Sequence, residues 1–173
     1  PLIQAVPKSL LTQDLAFAKD FKNPQTISGS AFSNPDFEFE IPFRPNSKQW
    51  RKAEIPAANG HSDARSISKL YGILANGGSR DGIHVLDKKT IEQARQTSSE
   101  GKDLVLGNLN TRFGHGFMLG SKHISMGPNR DSFGHGGAGG SLGFADPDHH
   151  VSFGFVMNQM HPCLLYTSDA ADE

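Results

Sequence analysis

The sequence has one cysteine, no long apolar run and no excess of basic residues, and each shortage excludes a class of protein. A single cysteine excludes a disulfide framework. No apolar stretch approaches the roughly 20 residues that a membrane-spanning helix needs. With 17 basic and 18 acidic residues the formal net charge is -1, which argues against a nucleic-acid partner. We therefore expect no membrane span and no bound nucleic acid, and a cytoplasmic location is slightly favoured.

Both ends of the chain indicate a fragment. The chain begins with Pro1 rather than Met. Residues 163–173 break abruptly from what precedes them and look like the translation of a sequencing adaptor, a kind of segment that is left out of fold reasoning. A natural acidic tail is the alternative. We expect a loop-rich N-terminal part over 1–58, the C-terminal part of one domain over 59–162, and a non-native tail.

Apolar periodicity predicts two helices, over about 62–76 and 87–97. One face of the first is formed by Ala64, Ile67, Leu70, Tyr71 and Leu74. The second begins at Asp87, where Leu86 and Ile91 can form a hydrophobic staple around the cap.

Elsewhere the sequence predicts loops and short strands. Prolines interrupt the first 60 residues and favour extended backbone before them, with a short helix expected near 10–18 and a short strand near 37–41. The polar run 98–103 predicts a solvated loop. Alternating segments predict strands at about 112–119, 132–137, 140–145 and 151–158. Their hairpin spacing favours antiparallel pairing, so the expected fold class is α+β, an antiparallel sheet packed with helices.

The densest glycine in the chain surrounds one polar side chain, His135. Glycine has no Cβ, so backbone N–H groups can come close to a bound molecule. Within this stretch Gly134-x-Gly136-x-x-Gly139 fits a dinucleotide fingerprint. That motif requires a helix directly after it, and the Pro147 turn that follows does not predict one. A nucleotide cofactor is therefore not expected.

Two serine patterns point to nucleophilic chemistry, and we set both aside. Gly139-x-Ser141-x-Gly143 fits the nucleophile elbow of α/β-hydrolases, which also needs a following helix, so that fold is the less favoured alternative. Ser66-x-x-Lys69 places a lysine one helical turn from a serine whose proton it can accept. Ser66 and Lys69 flank the apolar stripe of an amphipathic helix, and we interpret them as solvated side chains.

The other histidines show no metal-ligand spacing, so no metal site is expected. His115 repeats the Gly-His-Gly context of His135. We interpret it as a strand position near the cleft.

Residues 135–143, His-Gly-Gly-Ala-Gly-Gly-Ser-Leu-Gly, resemble the third conserved element of serine β-lactamases and penicillin-binding proteins, usually Lys-Thr-Gly. The likeness is to the class C branch and its esterase relatives, many of which carry His-x-Gly there. It covers roughly residues 55–160. The resemblance implies a β-lactamase/transpeptidase-like fold and hydrolysis of small-molecule esters or amides, with β-lactams among the candidates, through an acyl-enzyme and without a cofactor.

The resemblance also implies a role for each residue of this element. His135 takes the Lys position, Gly136 the Thr position and Gly137 the Gly position. The backbone N–H of Ala138 would be one of two oxyanion donors. A histidine is partly neutral at pH 7 and anchors a carboxylate less firmly than an ammonium does. The resemblance, with these departures, predicts a preference for esters or small amides over penicillins.

The family's nucleophile lies far upstream of this element, in a part that the resemblance does not find here. The Ser-x-x-Lys at Ser66 falls in a helix that matches a downstream part of the family. A Tyr-x-Ser occurs at Tyr166, inside the adaptor-like tail. We therefore expect no nucleophile in the chain and no activity from it alone. A catalytically dead relative that serves as a binding or scaffold module is the alternative.

Overall fold

A computed structural model describes residues 19–20, 23–33, 44–121, 124–127, 129–137 and 139–159. The helix predicted near 10–18, the strand predicted near 37–41 and the predicted tail lie outside these residues. The chain divides into two compact units, Pro1–His61 with Asp103–Leu109, and Ser62–Lys102 with Asn110–Glu173.

The first unit contains short helices where the sequence predicted mostly loop. They are α1, Ile27–Phe32, a 3-10 turn, Arg44–Asn46, and α2, Lys48–Lys52. Hydroxyl caps explain them, because the side chains of Thr26 and Ser47 accept from the backbone N–H groups three residues on. Ser28 ties α1 to the 103–109 segment by donating to the carbonyl of Val105 at 2.6 Å.

The second unit opens with helix α3, Ala64–Ala75, a hairpin of β1, Ser79–Arg80, with β2, Ile83–His84, and helix α4, Lys88–Ala94. Asp63 caps α3, accepting from the N–H of Ser66 at 2.7 Å. Helix α4 ends three residues before the predicted boundary, because the carbonyl of Ala94 accepts from the N–H of His115 in another part of the chain.

Six strands then follow one another in sheet order. They are β3, Ser99–Asp103, β4, Leu109–Phe113, β5, Met118–Leu119, β6, Phe133–Gly136, β7, Leu142–Asp146, and β8, Val151–Phe155. Strands β4 to β8 pair antiparallel, as the hairpin spacing predicted.

Two sequence predictions about these strands were wrong. The polar run expected to be a loop is the edge strand β3, whose residues are almost all exposed. An edge strand needs backbone partners on one side only and no buried face. The strand predicted over 112–119 is instead the β4–β5 hairpin, and His115 lies in its turn rather than in a strand. Gly116, with φ of 88°, supports that turn.

Helix α3 lies across β7 and β8, and glycine permits this close approach. A Cβ on Gly143 would collide with the ring of Tyr71, and one on Gly154 with the backbone of α3. The core beneath is formed by Leu74, Ala75, Ile91, Leu119, Phe133 and Ala145. Leu70, predicted to share the buried stripe, is instead 46% exposed. In the described part of the chain, no helix is long and apolar enough to cross a membrane.

Candidate active site

His135 lies near the end of β6, where the strand leaves the core. Side chains alternate across a sheet, so Phe133 and His135 point to the same face. Phe133 is fully buried, with its ring edge-on to Phe117 at 4.8 Å between centroids. His135, two residues on, is exposed. The strand therefore carries its polar side chain just past the edge of the core.

One side of β6 is open at His135. Strand β5 pairs only with Phe133 and Gly134, whereas β7 pairs with all four residues of β6. Among the described residues, no strand pairs with His135 or Gly136 on the β5 side. The ring of Phe113, from β4, has its centroid 6.1 Å from that of His135. Backbone groups on this side are placed where an extended ligand can approach.

The glycines of β6 differ in what requires them. A Cβ on Gly134 would collide with the carbonyl of Gly143 and lie 2.7 Å from the Cα of Phe144, so packing excludes any side chain there. Among the described residues, a Cβ on Gly136 would have a single neighbour at 3.9 Å, the carbonyl oxygen of Ser141. Packing against these residues therefore does not explain Gly136, and none of them fills the space above it.

A tight turn follows β6. The N–H of Gly137 donates to the carbonyl of Ser141 at 2.7 Å, and the N–H of Gly140 donates to Gly137 at 3.1 Å. Gly139 and Gly140 have φ of 88° and 111°, which side chains rarely adopt. Strand β7 begins at Leu142, directly where a dinucleotide fingerprint or a nucleophile elbow would need a helix. Ala138, the predicted oxyanion donor, lies outside the described residues.

The hydrogen bond of His135 indicates which ring nitrogen carries the proton in the neutral ring. Nδ1 lies 2.5 Å from the carbonyl oxygen of Gly136. A carbonyl can only accept, so Nδ1 carries the proton in the neutral ring. Nε2 is then the nitrogen left to accept a hydrogen bond or a proton from a bound molecule.

A family model described as Beta-lactamase matches residues 16–172. The chain belongs to the Beta-lactamase family. It is 37% identical over 118 residues to "Esterase/beta-lactamase LipL" of Mycobacterium tuberculosis, a match that covers 68% of this chain and 27% of that protein. The chain thus spans about a quarter of the length of this curated relative.

Two solved structures confirm the predicted α+β fold. A family VIII carboxylesterase superposes with a TM-score of 0.66 at 40% identity. A penicillin-binding protein homologue from Caulobacter crescentus gives 0.64 at 39% identity. Each comparison covers 73% of this chain and 34% of the solved chain. The resemblance inferred from residues 55–160 is therefore confirmed at the level of family and fold.

The opposite end of the β6–β7 hairpin holds a polar cluster that sequence reasoning missed. The carboxylate of Asp146 is fully buried and accepts from the Asn129 amide at 2.8 Å and from Nδ1 of His149 at 2.9 Å. The N–H groups of Asp148 and His149 also donate to it. Burial raises the pKa of Asp146, but these hydrogen bonds outweigh burial and lower the pKa below its usual range.

This cluster is structural rather than catalytic, because the buried Asp146 carboxylate and the Asn129 amide already hydrogen-bond within the fold. The sequence signal was only the Asp-Pro turn itself, since a short acidic side chain in such a turn commonly accepts from the backbone two or three residues on. Asn129 joins from the loop before β6, which no local pattern indicates.

The two serine patterns set aside in the sequence analysis take no part in this site. Ser66 and Lys69 are both exposed on α3, and the N–H of Ser66 is the donor to the Asp63 cap. Ser141 lies in the β6–β7 turn with no helix after it. Among the described residues, no three His, Cys, Asp or Glu side chains are grouped to hold a metal ion.

Proposed function

We propose that the whole protein to which this chain belongs is a serine hydrolase that cleaves small-molecule esters or amides through an acyl-enzyme. In this proposal His135, Gly136 and Gly137 form one wall of the cleft. The observation that carries it is the open, exposed end of β6 in a chain 37% identical to an esterase/β-lactamase and 40% identical to a carboxylesterase.

The chemistry of the wall favours neutral esters. A lysine and a threonine in the first two positions would supply a cation and a hydroxyl for a substrate carboxylate. Here Nε2 of His135 supplies one hydrogen-bonding nitrogen, and Gly136 leaves open space. A bulky uncharged acyl group can occupy that space, whereas a penicillin carboxylate would find weaker anchoring.

The proposed reaction needs a serine from outside the element described here. Its oxygen attacks the carbonyl carbon, the alcohol or amine leaves with a proton, and water then releases the acid and frees the serine. The backbone N–H of Ala138 would stabilise the oxyanion, and a donor of that kind contributes about 3–4 kcal/mol to the transition state.

The chain alone is proposed to be inactive. Its Ser-x-x-Lys serine, Ser66, donates its N–H to a helix cap in an ordinary exposed first turn. A fluorophosphonate probe should leave the purified chain unlabelled. Stoichiometric labelling at Ser66, abolished by Ser66→Ala, would show that the chain carries its own nucleophile and would overturn this part of the proposal.

The activity test uses the whole protein with p-nitrophenyl butyrate and benzylpenicillin. We expect a higher kcat/KM for the ester, and His135→Ala should lower it by about tenfold or more. His84→Ala is the matched control, because His84 is an exposed histidine of the β1–β2 hairpin. Faster penicillin hydrolysis, or equal effects of the two substitutions, would refute the assignment. No hydrolysis of either substrate would favour the scaffold alternative.

A further inference from the structure

A second cleft, of about 350 Å³, opens where α3, the β1–β2 hairpin and β8 meet. It is lined by Arg65, Ser68, Lys69, Ile73, Arg80, Asp81 and Ser152. None of these residues belongs to β6 or to the turn after it. The cleft is thus distinct from the site proposed above, and an inference about it does not rest on the proposed function.

The charges in this cleft are unbalanced. Three cations, Arg65, Lys69 and Arg80, converge on it with one carboxylate, Asp81. The Arg80–Asp81 pair is 3.6 Å apart with both side chains largely exposed, so it neutralises little. Asp63, which caps α3, also interacts with Arg65, so three cations are set against two carboxylates in and beside the cleft. Like charges one helical turn apart destabilise a helix, so a counter-ion would be favoured here.

Hydroxyl groups line the inner wall of the cleft beside the cations. The Oγ atoms of Ser68 and Ser152 are 3.5 Å apart across the contact of α3 with β8. The point that a Cβ on Gly72 would occupy is 3.0 Å from Ser152 Oγ and 3.4 Å from Arg80 Nη1. A guanidinium and a hydroxyl therefore flank the same small space, which a larger residue at Gly72 would fill.

The β1–β2 turn holds Arg80 in place. Asp81 and Gly82 form a two-residue turn with φ of 51° and 77°, the left-handed pair that matches the twist of a hairpin. Arg80 pairs with Ile83 in the register on either side of it. A backbone fixed in this way reduces the ordering cost when the guanidinium binds a ligand.

We propose that this cleft binds a phosphate group, either inorganic phosphate or the phosphoryl group of a small metabolite. The planar guanidinium of Arg80 can donate two hydrogen bonds to adjacent phosphate oxygens. Lys69 and Arg65 supply point charges, and the two serine hydroxyls donate to the remaining oxygens. The Ser-x-x-Lys pattern thus contributes its lysine to an anion site rather than to a catalytic serine.

The test titrates the purified chain at constant ionic strength with inorganic phosphate, and separately with glycerol phosphate, while backbone amide NMR shifts are followed. We expect saturable shifts at residues 65–73, 80–81 and 152. Arg80→Gln should weaken binding by about tenfold or more, and Lys69→Gln by about three- to fivefold, because charge-assisted bonds are lost. Lys89→Gln should leave the affinity for phosphate unchanged, because Lys89 is an exposed residue of α4 outside the cleft.

The outcomes separate the ligand sources and can overturn the site. Tighter binding of glycerol phosphate identifies a phosphorylated metabolite as the ligand class, tighter binding of inorganic phosphate identifies the free ion, and equal binding shows that the phosphate group alone is recognised; each supports the site. Shifts that do not saturate, that chloride reproduces, or that persist equally in Arg80→Gln would refute it. Because Arg80 and Lys69 are surface side chains, both variants should retain the amide spectrum of the folded chain.

Discussion

Each end of the β6–β7 hairpin has a histidine, and the two histidines lie in opposite environments. At one end Asp146 is fully buried and accepts four hydrogen bonds, two of them from the backbone N–H and Nδ1 of His149. At the other end His135 is exposed, and its ring hydrogen-bonds to the carbonyl of its own neighbour, Gly136.

The contrast shows how to distinguish a structural histidine from a candidate catalytic one. His149 uses its Nδ1 on a carboxylate that the fold needs, so substituting it should affect folding. His135 leaves Nε2 for a ligand beside a glycine that packing does not require. If this contrast is right, the closed end controls stability and the open end does not.

The largest effect is expected at the closed end. Asp146→Ala removes a buried carboxylate and leaves its donors without a partner, so the free energy of unfolding should fall by about 3 kcal/mol. Urea denaturation at pH 7 measures it. Asp148→Ala is the control, because Asp148 is exposed, and it should cost less than about 0.5 kcal/mol. Equal losses in the two variants would remove the distinction between them.

The next effect lies within β6 itself. Gly134→Ala places a Cβ against the carbonyl of Gly143 and should lower the free energy of unfolding by about 2 kcal/mol through overpacking. Gly136→Ala, two residues along the same strand, meets open space and should change it by less than about 0.5 kcal/mol. A Gly136→Ala loss as large as that of Gly134→Ala would mean that the open end is a packed one.

Acid should weaken the closed end specifically. Because the pKa of Asp146 is lower in the folded chain than its ordinary value of 3.8, its carboxylate stabilises the fold above that value. This contribution is lost as the pH falls through the folded-state pKa. The stability difference between the natural chain and Asp146→Asn, measured from urea midpoints against pH, should therefore shrink below pH 3.8. A difference constant across that range would contradict the assignment.

The smallest effect compares the two histidines directly. His149→Ala should lower the free energy of unfolding by about 1 kcal/mol, since it removes a hydrogen bond to the buried Asp146. His135→Ala should change it by less than about 0.5 kcal/mol, because the side chain is exposed. Thermal or urea unfolding of both variants under one set of conditions decides it. A larger loss of stability for His135→Ala than for His149→Ala would contradict the assignment of His149 as the structural histidine.

The sequence predicted the residues of the candidate site, but it did not predict that β6 is open on its β5 side at His135. The glycine spacing around His135 identified the element, and strands cover residues 133–136 and 142–146. The short reach of β5, which leaves His135 open on one side, depends on where the β4–β5 hairpin turns. Sequence reasoning merged those two strands into one and therefore placed His115 in a strand.

Local patterns alone determined helices α3 and α4, strands β6 to β8 and the family, because caps, helical periodicity and glycine motifs act within a few residues of one another. Tertiary structure decided which groups share a site. Arg80 and Ser152 flank the same point beside Gly72 only because α3 packs on β8, and Asn129 reaches Asp146 only because β6 and β7 pair in their observed register. Edge strand β3 shows the same limit, since backbone pairing alone can hold a polar segment that carries no apolar pattern.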